Sequence, residues 1–386
     1  MAASLAVGSR EFRRHGDCGA LRDVRRGGGT VGGPDALIVG VSVNNVTGIT
    51  EKSYRLADLL SACREAEAMG FDAVWVHDAP LGRRTLAAHD PANILAAVAG
   101  MTTKLRLCTG IIAPHLRNPV TLAQQWATLF TLSEGRALMG VGTGAGTPTL
   151  LQREFEALAV LRHDSNLDPA RLYQHRGALF EECLTVMRRL WSEDKVSFEG
   201  EFYRFRDVTL GEARPDTVPP VLVSAGIYFP ERRGAPVHHG WTEKHAGKFV
   251  LGPHKRVANC GDGWLTVHVT PEEYDRYWTR IQAHADEAHP GKRIAKAFNC
   301  FVNVDDDPAR ARQAVKDHLT DFHGPPVWDD VVDRWAVAGR PEQIAARLQE
   351  YIDRGVRIFQ LVIGSPDQFG QMRLIAEKVL PLIRRP

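Results

Sequence analysis

Thr103–Gly144 reads TKLRLCTGIIAPHLRNPVTLAQQWATLFTLSEGRALMGVGTG, and two buried strands flank one helix in it. Leu105 to Ile112 is a short apolar run rich in β-branched residues. Pro119 stands where a first helical turn accepts a residue without an N–H. Leu122, Trp126, Leu129 and Leu132 then recur at helical spacing. Ala137 to Val141 returns to strand character, and Gly142, Thr143 and Gly144 follow at once. The pattern is a βαβ unit with flexible, polar residues where both strands end, and in parallel α/β folds the carboxyl ends of strands are where ligands bind.

The alternation extends outward from this block. Leu37 to Val43 is the first strand and Tyr54 to Met69 its helix. Asp72 to Val76 is the second strand, followed by a helix over Pro91 to Met101. Leu172 to Trp191 is a fourth helix, and Val196 to Phe205 a small appended hairpin. Val221 to Ser224, Gly263 to Val267, Ala297 to Val304 and Ile358 to Ile363 supply four more strands, the last closed by a helix ending near Ile383. Eight strands alternating with helices point to a closed parallel barrel, although an open doubly wound sheet has much the same periodicity. Two connections exceed what a compact barrel needs: Ala145 to Asp168 and Gly226 to Gly252. The second carries Tyr228, Phe229, His238, His239 and Trp241, aromatics suited to covering a substrate or to an oligomer contact. An adjacent histidine pair without a third ligand at regular spacing is a poor metal signal, so no metal site is expected.

Composition fits one large domain. The 386 residues exceed a barrel of roughly 250 by an amount that insertions and a tail absorb, and 44% hydrophobic residues suffice for a sizeable core. A net charge of +2 gives no reason to invoke nucleic acid or a membrane surface. No stretch approaches the roughly 20 continuous apolar residues of a membrane span. Six cysteines lie scattered without C-x-x-C spacing, which suggests reduced thiols in a cytoplasmic protein. Residues 1–34, with Arg13-Arg14, Arg25-Arg26 and Gly27-Gly28-Gly29, read as a flexible tail, and residues 35–386 as the catalytic domain.

The order R-N-P-x-x-x-A, A-T-L, L-S-x-G-R and G-x-G-x-G from Arg117 to Gly144 resembles the central block of the bacterial luciferase-like oxidoreductases. The resemblance continues through Tyr173, Arg176, Glu181 and Leu190-Trp191, V-S-F-x-G-E-F-Y-R-F from Val196, Gly261-Asp262-Gly263-Trp264, and Gly339-x-Pro341 to Gly355-x-Arg357. It implies a (β/α)8 TIM barrel with insertions in the loops at the carboxyl-terminal face, and a flavin-type cofactor, F420 or FMN. It also implies a non-proline cis peptide in a bulge after the third strand, between Thr109 and Ala113.

A flat tricyclic ring needs strand ends that carry no obstructing side chain, and a phosphate needs donors. Thr109 and Gly110, then Gly142, Thr143 and Gly144, are the candidates for the ring. Ser224, Ala225 and Gly226 follow the fifth strand and offer hydroxyl and N–H donors. Arg117 has the fork that pairs with a phosphate, or is a solvated surface arginine. By resemblance Tyr173 and Arg176 lie near the cofactor, or else anchor the fourth helix. For proton handling, His77 and Asp78 follow the second strand directly, in the reverse of the D-H order many relatives carry. Asn44 and Asn45, after the first strand, are suited to orienting a substrate or ring carbonyl, or form a polar barrel cap. His115 ranks lower.

Two reaction classes follow from the resemblance. In one, F420 exchanges a hydride with a small organic substrate. In the other, reduced FMN, supplied by a separate flavin reductase, oxygenates a substrate through a flavin hydroperoxide. Phe130 stands where the flavin monooxygenases commonly have an aspartate, which tilts the resemblance toward the deazaflavin branch. A non-catalytic flavin-binding homologue is the third reading, since fold alone does not fix function. The habits of the family imply a homodimer or higher homo-oligomer.

Overall fold

The computed structural model describes residues 36–47, 55–79, 87–144, 153–154, 169–226, 251–323, 327 and 329–386. The expected tail over 1–34, most of the connection 145–168 and the aromatic loop 227–250 lie outside the described residues. The strands are β1 (Ile38–Ser42), β2 (Val46–Thr47), β3 (Ala73–Val76), β4 (Ala87–Ala88), β5 (Arg106–Thr109), β6 (Ala137–Val141), β7 (Val196–Glu199) and β8 (Arg204–Val208). They continue with β9 (Val221–Ser224), β10 (Gly263–Thr266), β11 (Ala295–Val304), β12 (Ala336–Gly339) and β13 (Ile358–Ile363).

Eight of these strands pair in the order β10-β9-β6-β5-β3-β1-β13-β11, and β11 pairs back onto β10. Every pairing in that ring is parallel. The sheet is therefore a closed barrel, and the open alternative falls away. Alternation along each strand explains why the runs are apolar on both faces. Ile38, Ala73, Trp75, Cys108, Leu138, Leu222, Leu265, Ala297 and Ile358 meet in one cluster that plugs the barrel interior. Val39, Val41, Val74, Val76, Leu107, Met139, Val141, Phe359 and Leu361 belong to the larger cluster against the helices. Gly40 makes the plug possible, because a Cβ there would come within 2.7 Å of the Ala73 Cβ and run into the Trp75 indole.

Several motifs that carried the resemblance prove to be joints of this frame. Asn118 caps the helix Pro119–Leu132 by accepting from Val120 N and Thr121 N, with Pro119 at the first position. In L-S-x-G-R, Gly135 turns the chain with φ +79. Arg136 then donates to the carbonyls of Ala99, Thr102, Leu105 and Ser133 below the strands. Asp262 accepts from Val221 N and from Arg188. Glu182 gathers the N–H groups of Glu201, Phe202 and Tyr203 and so anchors the β7–β8 hairpin. Phe130 is a buried core residue on the outer helix Pro119–Leu132, within the helix-side cluster.

One feature was not anticipated. β11 is ten residues long; its first half pairs with β10 and its last four residues with β12. Between β11 and β12 stand the helices Pro308–His323 and Asp329–Trp335, before the barrel resumes with Pro341–Asp353. Val315, Leu319, Val332 and Trp335 from this insertion pack on Phe301 of β11 and Val362 of β13. A Cβ on Gly364 would come within 2.7 Å of Val315 Cγ2, which seats the first helix on the carboxyl end of β13. The helices Leu251–Cys260 and Pro271–Ala288 were also not assigned from sequence. Among the described residues, no helix is long and apolar enough to cross a membrane.

Candidate active site

The carboxyl ends of β1, β3, β5, β6 and β9 bring together most of the residues singled out from sequence. β5 stops at Thr109, bulges through Gly110 and Ile111, and rejoins the sheet at Ile112, whose N–H donates to Gly140 O at 2.9 Å. The Gly110–Ile111 peptide is cis, inside the window expected from the resemblance. A Cβ on Gly110 would run into the Gln360 amide, and one on Gly142 into the Ile111 side chain, with Ser224 Cβ 3.5 Å away. Gly110, Ile111, Gly142 and Ser224 thus form one closely packed surface across β5, β6 and β9, with Gln360 against Gly110 and Ile111 against Gly142. Gly144 has φ +84, and at Gly226 a Cβ would meet nothing within 4 Å. Thr143, Gly144 and Ser224 are partly exposed on this surface.

Some expected ligands are engaged with the frame. The Thr109 hydroxyl donates to Gly140 O at 2.9 Å and accepts from Gly140 N at 3.0 Å, so it locks β5 to β6 rather than facing a ligand. Ala225 is buried and its carbonyl accepts from Trp264 Nε1. Asn44 accepts from Val46 N in a local turn. Sequence reasoning had paired Asp78 with His77 and offered Arg117 to a phosphate. Instead Arg117 grips Asp78 with both terminal nitrogens at 2.8 Å, and Asp78 also accepts from Ala113 N. The physical reason is burial: Asp78 is 3% exposed and needs a compensating cation. Burial works to lower the Arg117 pKa, but the Asp78 carboxylate outweighs it and holds the guanidinium charged. Tyr173 lies on the helix Pro169–Ser192, and its side chain is outside the described residues.

His77 has a defined orientation. Asn45 clamps the chain around it: Asn45 Nδ2 donates to His77 O and His89 O, and Asn45 Oδ1 accepts from His77 N at 2.7 Å. His77 Nδ1 lies 2.9 Å from Gly110 O. A carbonyl oxygen only accepts, so Nδ1 carries the proton in the neutral ring and Nε2 is the basic nitrogen. Burial lowers the His77 pKa, opposed in part by the Gly110 carbonyl. Asn45, expected with Asn44 to orient a substrate or ring carbonyl, instead has its amide engaged with the His77 and His89 backbone and so sets the course of the chain at His77.

Beside this surface sits a cationic cluster. His115 is buried, edge-on to Phe180, and its pKa falls to about 3, through burial first and then through Arg176, Arg117 and Arg256. Arg176 and Arg256 come from the helices Pro169–Ser192 and Leu251–Cys260, and Arg256 Nη1 is 3.5 Å from Glu181. Arg117 and Arg256 of this cluster are paired with Asp78 and Glu181. A flat ring and a phosphate-bearing tail fit the site, with the strand-end glycines for the one and Arg176 with Ser224 for the other.

Known proteins resemble this chain in sequence and in fold. A family model described as luciferase-like monooxygenase matches residues 38–242. An F420-dependent glucose-6-phosphate dehydrogenase of Kineococcus radiotolerans is 29% identical over 350 residues, covering 83% of this chain and 91% of the relative. An F420-dependent secondary alcohol dehydrogenase, solved with an F420-acetone adduct, superposes with a TM-score of 0.69 at 22% identity over 90% of this chain and 99% of its own. The oxygenating constituent of 3,6-diketocamphane monooxygenase from Pseudomonas putida, solved with FMN, superposes with a TM-score of 0.64 at 14% identity over 91% of this chain and 99% of its own.

Proposed function

Starting from the chain's membership of the luciferase-like monooxygenase family, whose model spans more than half of it, we propose that it is an F420-dependent oxidoreductase. In this reading a hydride passes between the deazaflavin and a small organic alcohol or carbonyl compound. The observation that carries the reading is the match to F420-dependent dehydrogenases along 91% of the relative's length. The cis peptide Gly110–Ile111 and the partly exposed Thr143 and Gly144 at the ends of β5 and β6 support it.

The bound cofactor supplies two-electron hydride chemistry, and the protein supplies orientation and electrostatics. Gly110, Gly142, Thr143 and Gly144 would hold the ring at the ends of β5 and β6. Ser224 and Gly226 donate to the tail, with Arg176 as its counter-charge. The Asp78–Arg117 pair braces the segment after the cis peptide through Ala113 N. His77 Nε2 holds or releases the proton of the substrate oxygen, with the tautomer fixed by Gly110 O. Asn44, at the end of β1, lines the mouth as a secondary polar residue.

The FMN-dependent monooxygenase reading keeps support from the family's own description and from the FMN-bound neighbour. It requires a separate flavin reductase and consumes oxygen. The assay that separates the two is anaerobic incubation with oxidised F420 and a panel of alcohols that includes glucose 6-phosphate. Bleaching of F420 absorbance supports hydride transfer. Oxygen uptake with reduced FMN, and no F420 bleaching, supports the alternative. A cytoplasmic homo-oligomer remains part of the proposal, checked by size-exclusion chromatography with light scattering.

A further inference from the structure

The insertion between β11 and β12 brings a second histidine to the barrel mouth. His318 lies on the helix Pro308–His323, is buried, and sets its ring 5.8 Å from that of Phe301. Phe301 pairs across the sheet with Val362, and two residues earlier Asn299 pairs with Gln360. Gln360 lies against Gly110, the residue whose carbonyl holds His77 Nδ1. His77 and His318 are thus reached from two sides of one barrel mouth, across Gly110, Gln360 and Phe301. His318 makes no hydrogen bond among the described residues, whereas the neighbouring roof residue Trp335 donates to Asn299 Oδ1 at 3.0 Å.

The order of strands separates two sides of this mouth. The strand-end glycines belong to β5 and β6, while β11 and β13, which carry the insertion, stand diametrically across the barrel from them. A ring held at the ends of β5 and β6 would leave the side of the mouth roofed by Phe301, Trp335 and His318 for the other reactant. Resting on the hydride-transfer reading, we infer that His318 is a substrate-facing residue opposite His77, and that the two imidazoles flank and read a hydroxyl or carbonyl oxygen of the substrate. The chemical class that fits is an organic molecule with an apolar body for Phe301 and Trp335 and an oxygen at the end between the histidines. The electrostatics agree: burial first, and His77 second, push the His318 pKa down to about 4. His318 is therefore neutral at physiological pH and able to accept or donate one hydrogen bond.

The test uses the full chain and two readouts. NMR of carbon-13-labelled histidine follows the His318 ring from pH 3 to 8 with and without F420. Facing rings require that His77→Leu raise the His318 midpoint. His318→Leu, folded by circular dichroism, should bind F420 within threefold of the parent. With any alcohol that bleaches F420, it should raise KM at least tenfold with a smaller change in kcat, and His318→Gln should restore most of the loss. An unmoved His318 midpoint in His77→Leu, or a more than tenfold loss of F420 affinity in His318→Leu, overturns the inference. A parent chain that binds no F420 overturns the underlying cofactor reading instead, while the His318 midpoint in the apo chain still decides whether the two rings face each other.

Discussion

His115 is the buried group whose titration most directly couples the site to stability. Its pKa in the folded chain is about 3, through burial and the charges of Arg176, Arg117 and Arg256. In the unfolded chain it returns to about 6.5. The folded-state value is depressed, so the unfolded state binds the extra proton. The resulting stability is fully present above about pH 6.5 and is lost as the pH falls toward 3. Integrating between those values, protonation removes about 3.4 kcal/mol by pH 4. The perturbation is His115→Phe, which keeps an aromatic ring edge-on to Phe180 and removes the titration. Urea unfolding at pH 7 and at pH 4, followed by tryptophan fluorescence, measures both chains. The carboxylates contribute equally to each, so the variant should lose about 2–5 kcal/mol less between the two pH values. Parallel pH profiles would refute the reasoning and mean that His115 reaches solvent or a compensating carboxylate when it charges.

Asp78→Asn removes the carboxylate that neutralises Arg117 and should cost about 3 kcal/mol in urea unfolding, because a partly buried guanidinium is left without its partner; a loss below about 1 kcal/mol would contradict the pairing. Gly140→Ala places a Cβ against the Thr109 backbone and should destabilise by about 3 kcal/mol or more, whereas Gly226→Ala, with nothing within 4 Å, should change stability by less than about 0.5 kcal/mol. For alcohol oxidation His77 must be neutral, and its pKa is lowered, so activity should hold through pH 6.5 and fall only on further acidification. His77→Gln should lower kcat about 10²-fold or more and abolish that acidic limb; an unchanged limb would assign it to another group.

The barrel was legible because its strands are apolar on both faces, and Ala137–Val141, Val221–Ser224 and Ile358–Ile363 fall within the bounds that the apolar runs implied. The cis peptide after β5 was placed through resemblance, since nothing in the composition of TGIIA dictates it. The insertion between β11 and β12 was missed although residues 305–357 are too many for one crossover, because its helices are amphipathic in the ordinary way and pack on Phe301 and Val362, which are distant in sequence. Side-chain partners were least legible. Asp78 and Arg117 are separated by 39 residues, and only the fold shows that they neutralise each other. The short motif R-N-P therefore looked like a ligand site, when Arg117 is a brace and Asn118 a helix cap. In the sequence Asn44 and Asn45 look alike as residues suited to orienting a ligand, and only the fold shows that the Asn45 amide sets the backbone of His77 through two hydrogen bonds.

The most direct measurement is a fluorescence titration of the purified apo-protein with F420 and, separately, with FMN in oxidised and reduced forms, followed by oxygen electrode readings on each mixture. The expected result is saturable F420 binding, at least tenfold tighter than FMN in either state, with no oxygen consumption. Preferential binding of reduced FMN accompanied by oxygen uptake would contradict hydride transfer to or from F420 and make oxygenation the chain's chemistry.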